Sequence, residues 1–337
     1  KEETFSPCIA YTGTRPVEYA AVPLTMYSTG ADHLESYASM SALLEHFYAE
    51  KNTLTRIRQK SSDLRRIVQT ALERDIKKYD LQLTQMKDTE KREKYRIYGE
   101  LLNTYGYSAK PGDKSLTAVN YYTNEPVTIP LDPTLSATEN AKKYFDKYGK
   151  LKRTYEALSE LTTQVKEEID HLETISTALD IALKEEDLVE IKEELTQSGY
   201  IRRKSGTKKA KITSKPFHYL SSDGFHIYVG KNNFQNDELT FKFATGNDWW
   251  FHAKGIPGSH VVVKTEGKEL PDRTFEEAGR LAAYYSKGRE QEKVEIDYVQ
   301  KKQVKKPAGA KPGFVVYYTN YSLMIDSDIS GIEKISD

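Results

Sequence analysis

Between Ala49 and Glu100 the sequence holds no proline, and no glycine before Gly99. Nothing in such a stretch stops a helix. Apolar or small residues recur at Leu54, Ile57, Ser61, Leu64, Val68, Leu72, Ile76, Tyr79, Leu83 and Met86. The steps are mostly threes and fours, as in a coiled-coil seam. Val68, Leu72 and Ile76 are spaced by successive fours, which predicts local unwinding of a supercoil. At 1.5 Å per residue, about 50 residues span roughly 75 Å. A compact domain cannot hold that length. The composition agrees: 30% of residues are charged and 38% hydrophobic, which suits an elongated part with much surface.

The pattern breaks over 101–138, where Gly106, Pro111, Gly112, Pro126, Pro130 and Pro133 fall. Two short strands are expected there, Ser115–Tyr122 and Glu125–Pro130. The helical pattern returns from Ala137 through Tyr144, Tyr148, Leu151, Tyr155, Leu158, Thr162, Val165, Ile169, Leu172, Ile175 and Leu179. It ends near Leu183, and a second helix covers Glu186–Gln197. Two long helices joined by a small insert must run antiparallel if they pair within one chain. The economical architecture is an antiparallel coiled-coil arm, residues 49–100 and 139–199, with a tip insert at 101–138. A plain helical bundle is the alternative.

Residues 1–48 are too few for a core of their own. Strands are expected at Phe5–Thr12 and Tyr19–Leu24, and a helix is expected to begin with Ser39 as its N-cap, or alternatively Ser41. The segment reads as a remnant of a preceding domain, or as packing against the arm. Residues 200–215, YIRRKSGTKKAKITSK, form a basic linker, with no acid between Glu194 and Asp223. It is either a solvated linker or a phosphate-contacting segment. Residues 216–337 read as a small α+β domain of short strands, one of them at Leu239–Thr245, and one clear helix. Thr274 and Glu277 suggest a capping box at the start of that helix.

Within this last domain, Asn247–Val263 (NDWWFHAKGIPGSHVVV) carries both tryptophans of the chain. It reads as a strand, a tight turn and a second strand. Neighbouring strand residues point to opposite faces. Trp249 is therefore expected in the core with Phe251, and Trp250 with His252 on the face that meets a partner. Ser259 and His260 join that face. From Tyr298 to Ile325 there is no acidic residue, while Lys301, Lys302, Lys305, Lys306 and Lys311 crowd one loop. Lysines beside aromatic faces suit nucleic acid, through phosphate charge and base stacking. A solvated lysine loop over core aromatics explains the same residues. His252 and His260 have no third ligand close in sequence, so no metal site is expected. Asp223, Asp237, Asp248 and Asp272 show no catalytic partner, and no phosphate-cradling glycine loop occurs. Neither an enzyme nor a cofactor is expected.

Lys+Arg and Asp+Glu are equal at 50 each, so no global charge points to a partner. Cys8 is the single cysteine, which excludes an intrachain disulfide and favours a cytoplasmic setting. No apolar run approaches the roughly 20 residues of a membrane span, so no membrane insertion is expected. The start of the chain lacks both an apolar signal region and an initiator Met, and reads as a fragment.

Several stretches resemble one family. NDWWFHAKGIPGSHVVV, LAAYYSKGR and VEIDYVQKKQVKKPAGAKPGFVVYY are similar to the NFACT-R domain. That domain closes bacterial fibronectin-binding protein A and ribosome-quality-control proteins. GELL, NYY, IPLDPTLSATENAKKYFDKYGKLK and PLTMYSTG resemble the arm and middle segments of the same family. The chain looks like the C-terminal portion of a streptococcal-type NFACT protein. The resemblance implies binding to the large ribosomal subunit and tRNA in rescue of stalled translation. It also implies a second role, a surface adhesin that binds fibronectin without a signal peptide.

Overall fold

A computed structural model describes residues 5–12, 15–27, 32–203 and 213–336. Three strands come first, β1 (Cys8–Thr12), β2 (Arg15–Ala20) and β3 (Asp32–Ser36). Helix α1 (Met40–Asp88) is followed by α2 (Arg92–Tyr105), strands β4 (Ser115–Asn120) and β5 (Glu125–Pro130), then α3 (Ala137–Ile181) and α4 (Glu185–Gln197). The C-terminal part holds β6 (Phe217–Leu220), β7 (His226–Val229), α5 (Asn233–Glu238), β8 (Trp249–Ala253), β9 (Val261–Val263), α6 (Asp272–Tyr284) and β10 (Val294–Gln300). It ends with β11 (Val304–Lys305), β12 (Val316–Tyr317), β13 (Tyr321–Ile325) and β14 (Glu333–Ser336). The fold is α+β, with a long helical region and a smaller β-rich C-terminal domain. The chain divides into two compact units, Lys1–Leu72 with Asp170–Asp337, and Glu73–Ile169.

In the larger unit the first three strands form an antiparallel sheet ordered β2-β1-β3. Ile9 and Tyr11 bury against Leu43 and Phe47 at the start of α1. The Ser39 hydroxyl accepts from the Ala42 amide at 3.2 Å, the capping contact its position suggests. The N-terminal strands thus share a core with the long helix. Further along, Ile57, Leu64, Val68 and Ala71 pack with Leu172, Ile175, Leu179, Leu188, Ile191 and Leu195. Arg65 donates to Asp180 at 2.5 Å and to the Leu179 carbonyl at 2.6 Å, offsetting the unpaired carbonyls of the last turn of α3.

The buried stripe of α1 differs from the apolar pattern. Ile57, Ser61, Leu64, Val68, Ala71, Asp75, Gln82 and the following Thr89 are buried, whereas Ile76 and Leu83 are exposed. The steps remain threes, fours and sevens. Of the successive fours, Val68 is buried and Leu72 partly so, but Ile76 faces outward, and beyond Val68 the inner positions are the small or polar Ala71, Asp75, Gln82 and Thr89. Nor does one helix run to Glu100. The Thr89 hydroxyl donates to the Met86 carbonyl at 2.6 Å, a local bond that competes with the helical ladder where α1 ends.

In the smaller unit, the β4–β5 hairpin packs on α2 and α3 around Tyr98, Leu101, Leu102, Ile129 and Tyr144. Gly99 is required here, because a Cβ would stand 2.8 Å from the Phe145 ring. Ser136 and Glu139 form a reciprocal cap at the start of α3.

The C-terminal sheet has seven strands in the order β13-β10-β8-β9-β7-β6-β14. Helix α6 covers one face with Ala278, Leu281 and Ala282 over Phe251, Val261, Val263 and Ile296. The other face carries a second cluster, Leu239, Trp250, Val262, Val299 and Val304. Two local expectations fail. Leu239–Phe243 is a π-helical turn after α5, not a strand. Helix α6 begins at Asp272, so Thr274 is not its cap; its hydroxyl donates to Asp223 at 2.8 Å, and Glu277 accepts from the Ser222 amide at 2.9 Å.

A buried polar joint holds α4 against the sheet. Lys231 reaches Asp187 at 3.2 Å, Asn232 and Gln235 donate to Glu190, and Asn233 donates to Glu194. Glu194 also meets His171 at 3.0 Å. Burial pushes the Glu190 carboxyl pKa up despite its two amide donors. Of the basic linker, residues 204–212 lie outside the described residues. Arg203 pairs with Glu193, and Ser214 donates to Asp187 at 2.6 Å.

Candidate nucleic-acid interface

Strand β8 pairs with β9 on one side and β10 on the other, so Trp249 and Trp250 lie in mid-sheet. Trp250 is fully buried. Its ring lies 5.0 Å from His260, 5.1 Å from Tyr317 and 5.7 Å from His252. This reverses the expected partition of the tryptophans. The face of Trp250 is not solvated, because the π turn and the β11–β12 segment cover it. Trp249 is half-buried and packs edge-on against Phe275 of α6 at 4.9 Å.

Ser259 and His260 are also buried, so with Trp250 they are unavailable for contact. His260 Nδ1 sits 2.8 Å from the Thr240 hydroxyl, and its amide donates to Asn236 at 3.0 Å. Burial drives the His260 pKa well below the usual imidazole value, and neighbouring His252 adds to the effect. His252 is half-buried, and burial lowers its pKa to about 4. Both imidazoles are neutral at pH 7. Neither offers a cation to phosphate. Among the described residues no group of three or more His, Cys, Asp or Glu could hold a metal ion.

The lysines fare differently. Lys301 and Lys302 follow β10 directly, and their amides donate to the carbonyls of Asp248 and Gly246. Lys302 and Lys305 are exposed, and the Lys301 ammonium stands over the Phe241 ring. Lys306 pairs with Asp237, and Lys311 is half-exposed. The loop is fixed from beneath. Val304 is buried beside Trp250, and Tyr317 donates to Asp297 at 2.7 Å. Burial, then the Asp297 bond, raises the Tyr317 phenol pKa. The Gly313 amide donates to Asp237 at 2.9 Å. Only glycine fits there: φ is +79°, and a Cβ would stand 2.3 Å from the Asn233 side-chain oxygen. Trp250, His260 and Tyr317 therefore form the bed on which a lysine loop is held. Such a loop can place several ammonium groups against a phosphate backbone.

One group escaped the sequence reading: Trp249, Tyr298 and Tyr321, on three strands of the α6 face. Their ring centroids are 5.5–6.5 Å apart. Tyr298 and Tyr321 are register partners while Trp249 stands opposite Gln300, and strand order was needed to bring the three together.

Residues 1–214 match the family described as NFACT N-terminal and middle domains, and residues 215–318 match the NFACT protein RNA binding domain. Among curated proteins, the Rqc2 homolog RqcH of Streptococcus pneumoniae D39 is 39% identical over 330 residues, 98% of this chain and 58% of that protein. The Rqc2 homolog RqcH of Bacillus subtilis is 36% identical over 344 residues, 99% of this chain and 58% of that protein. The chain thus spans somewhat more than half the length of these relatives. Among solved structures, the C-terminal part of the fibronectin/fibrinogen-binding protein from Streptococcus suis superposes with a TM-score of 0.66 at 37% identity. That match covers 82% of this chain and 99% of the other. On the family match over residues 1–214 and the second over 215–318, this chain belongs to the NFACT family.

Proposed function

We propose that this chain is a binding module of a ribosome-quality-control factor. It contacts the large ribosomal subunit and tRNA or other RNA during rescue of stalled translation. In this reading α1 and α3 form an antiparallel coiled-coil arm with the β4–β5 hairpin at its tip. The C-terminal domain meets RNA through Lys301, Lys302, Lys305 and Lys311. It works in the cytoplasm by binding, without a cofactor or a catalytic step. The observation that carries this is the anchored lysine loop, in an acid-free run, inside the segment that matches an RNA binding domain. The test is the salt dependence of RNA affinity, measured by anisotropy. Changing these four lysines to Glu should lower the log–log salt slope by about 3, at ~0.7 per phosphate contact. An unchanged slope refutes the assignment.

The likeness to the Streptococcus suis fragment favours a second reading, a cell-surface adhesin that binds fibronectin. Surface plasmon resonance of this chain on immobilised fibronectin tests it. Saturable binding at micromolar concentration supports it, and a flat response excludes it.

A further inference from the structure

Trp249, Tyr298 and Tyr321 carry a role that the lysine loop does not. In register, Phe251 of β8 faces Tyr298 of β10, and Tyr298 faces Tyr321 of β13. Phe251, Tyr298 and Tyr321 therefore form one cross-strand row that ends on the edge strand of the sheet. The rings of this row are near parallel, with interplanar angles of 17° and 28° at 5.6 and 5.5 Å. Trp249 stands diagonally beside it, 5.8 Å from Tyr298 and 6.5 Å from Tyr321. Exposure rises along the row: Phe251 is buried, Tyr298 half-buried and Tyr321 60% exposed. Phe275 supports Trp249 and Tyr298 from α6. Trp249 and Tyr298 are held partly buried from below, and Tyr321 is the ring most open to solvent.

The turn that delivers Tyr321 is strained. Thr319 has φ +54°, a left-handed conformation that a β-branched residue seldom adopts. Charge is distributed unevenly around the platform. Lys301 and Lys302 are tied by their amides to the Asp248 and Gly246 carbonyls, at the end of β8 where Trp249 lies. The run from Tyr298 to Ile325 contains no carboxylate. On the α6 side, Asp272 helps to raise the Tyr298 phenol pKa, after burial and Tyr321. An anionic backbone is repelled there and attracted towards the exposed Lys302, since the Lys301 ammonium stands over Phe241 on the opposite face.

We infer that Trp249, Tyr298 and Tyr321 form a stacking platform for unpaired nucleobases, with the phosphates of a single strand running past Lys302 at the end of β8. Flat π faces accept any base, and duplexed bases cannot reach them. The inference rests on the RNA-binding reading above and gives it a strand preference.

The test uses the full chain, a fluorescein-labelled 12-nucleotide oligoadenylate, and a hairpin duplex of the same length. Anisotropy should show tighter binding of the single strand. Tyr321→Ala should weaken that binding about tenfold, a typical loss for one stacked base. Tyr321→Phe should bind like the parent, since the ring and not the hydroxyl is used. Unlabelled oligoadenylate should quench tryptophan emission, because Trp249 lies at the platform. Tyr321 is exposed, so its variants are expected to fold, and circular dichroism verifies this. If Tyr321→Ala binds the single strand like the parent while the Lys→Glu variant does not, the platform is refuted and RNA binding stands. If Tyr321→Ala loses fibronectin capture but keeps RNA binding, the platform serves a protein partner and the inference is overturned. If the parent binds neither RNA, the RNA-binding reading fails, and the platform with it.

Discussion

Replacing Lys231 by Met should destabilise the larger unit by about 3 kcal/mol. The Lys231 and Asp187 side chains are each 1% exposed, with 3.2 Å between Nζ and Oδ1. Removing one partner of a buried pair costs ~3–5 kcal/mol, because the remaining charge is left desolvated. Asp187 keeps other donors: the Leu183 and Lys184 amides at 3.0 and 2.9 Å, and the Ser214 hydroxyl at 2.6 Å. It also sits in the first turn of α4, where the helix dipole favours an anion. These contacts place the loss at the low end of the range. Methionine roughly preserves the volume and the contact with Phe217, whose ring lies 4.5 Å from the ammonium. Urea unfolding followed by tryptophan emission gives the change in stability. The double variant Lys231→Met with Asp187→Asn removes both charges and should be no less stable than Lys231→Met alone. A loss below about 1 kcal/mol for the single variant, or a strictly additive cycle, would refute the reasoning that the joint depends on this pair.

Trp250→Ala should cost about 3–5 kcal/mol in the same urea assay, because its ring fills the second core cluster. Stability should fall with acid, as read from thermal midpoints across pH. His252 and His260 have folded pKa values below the ordinary 6.5, so below that pH the unfolded chain binds more protons. The loss begins as pH drops through 6.5 and, for His252, levels off below about 4, at up to ~1.4 kcal/mol per pH unit for each histidine. Gly313→Ala should destabilise by at least about 1 kcal/mol and loosen the lysine loop, detectable as faster amide exchange at Val315–Tyr317.

The long helices, the hairpin at 115–130 and most of the C-terminal strands were legible in the sequence, because helix periodicity and turn residues are local signals. The buried stripe of α1 was not. Ser61, Ala71, Asp75 and Gln82 are inner residues with little apolar character, while Ile76 and Leu83 are apolar and face out. The tryptophan pair shows a second limit. Alternation correctly put Trp249 and Trp250 on opposite faces, but which face is solvated depends on a distant segment. The Leu239–Phe243 turn, read as a strand, is part of what closes over Trp250. The lysine loop was legible as charge, whereas its bed of Trp250, Tyr317 and Gly313 required the tertiary structure. The Trp249–Tyr298–Tyr321 group needed the strand order β13-β10-β8, which separates neighbours in space from neighbours in sequence.

Co-sedimentation with purified large ribosomal subunits tests the central claim most directly. The chain should pellet with the subunits at low salt and be released as salt rises. The variant with Lys301, Lys302, Lys305 and Lys311 changed to Glu should remain in the supernatant while retaining the parent circular dichroism spectrum. Equal pelleting of parent and variant, or no pelleting of the parent at any salt concentration, would contradict the account.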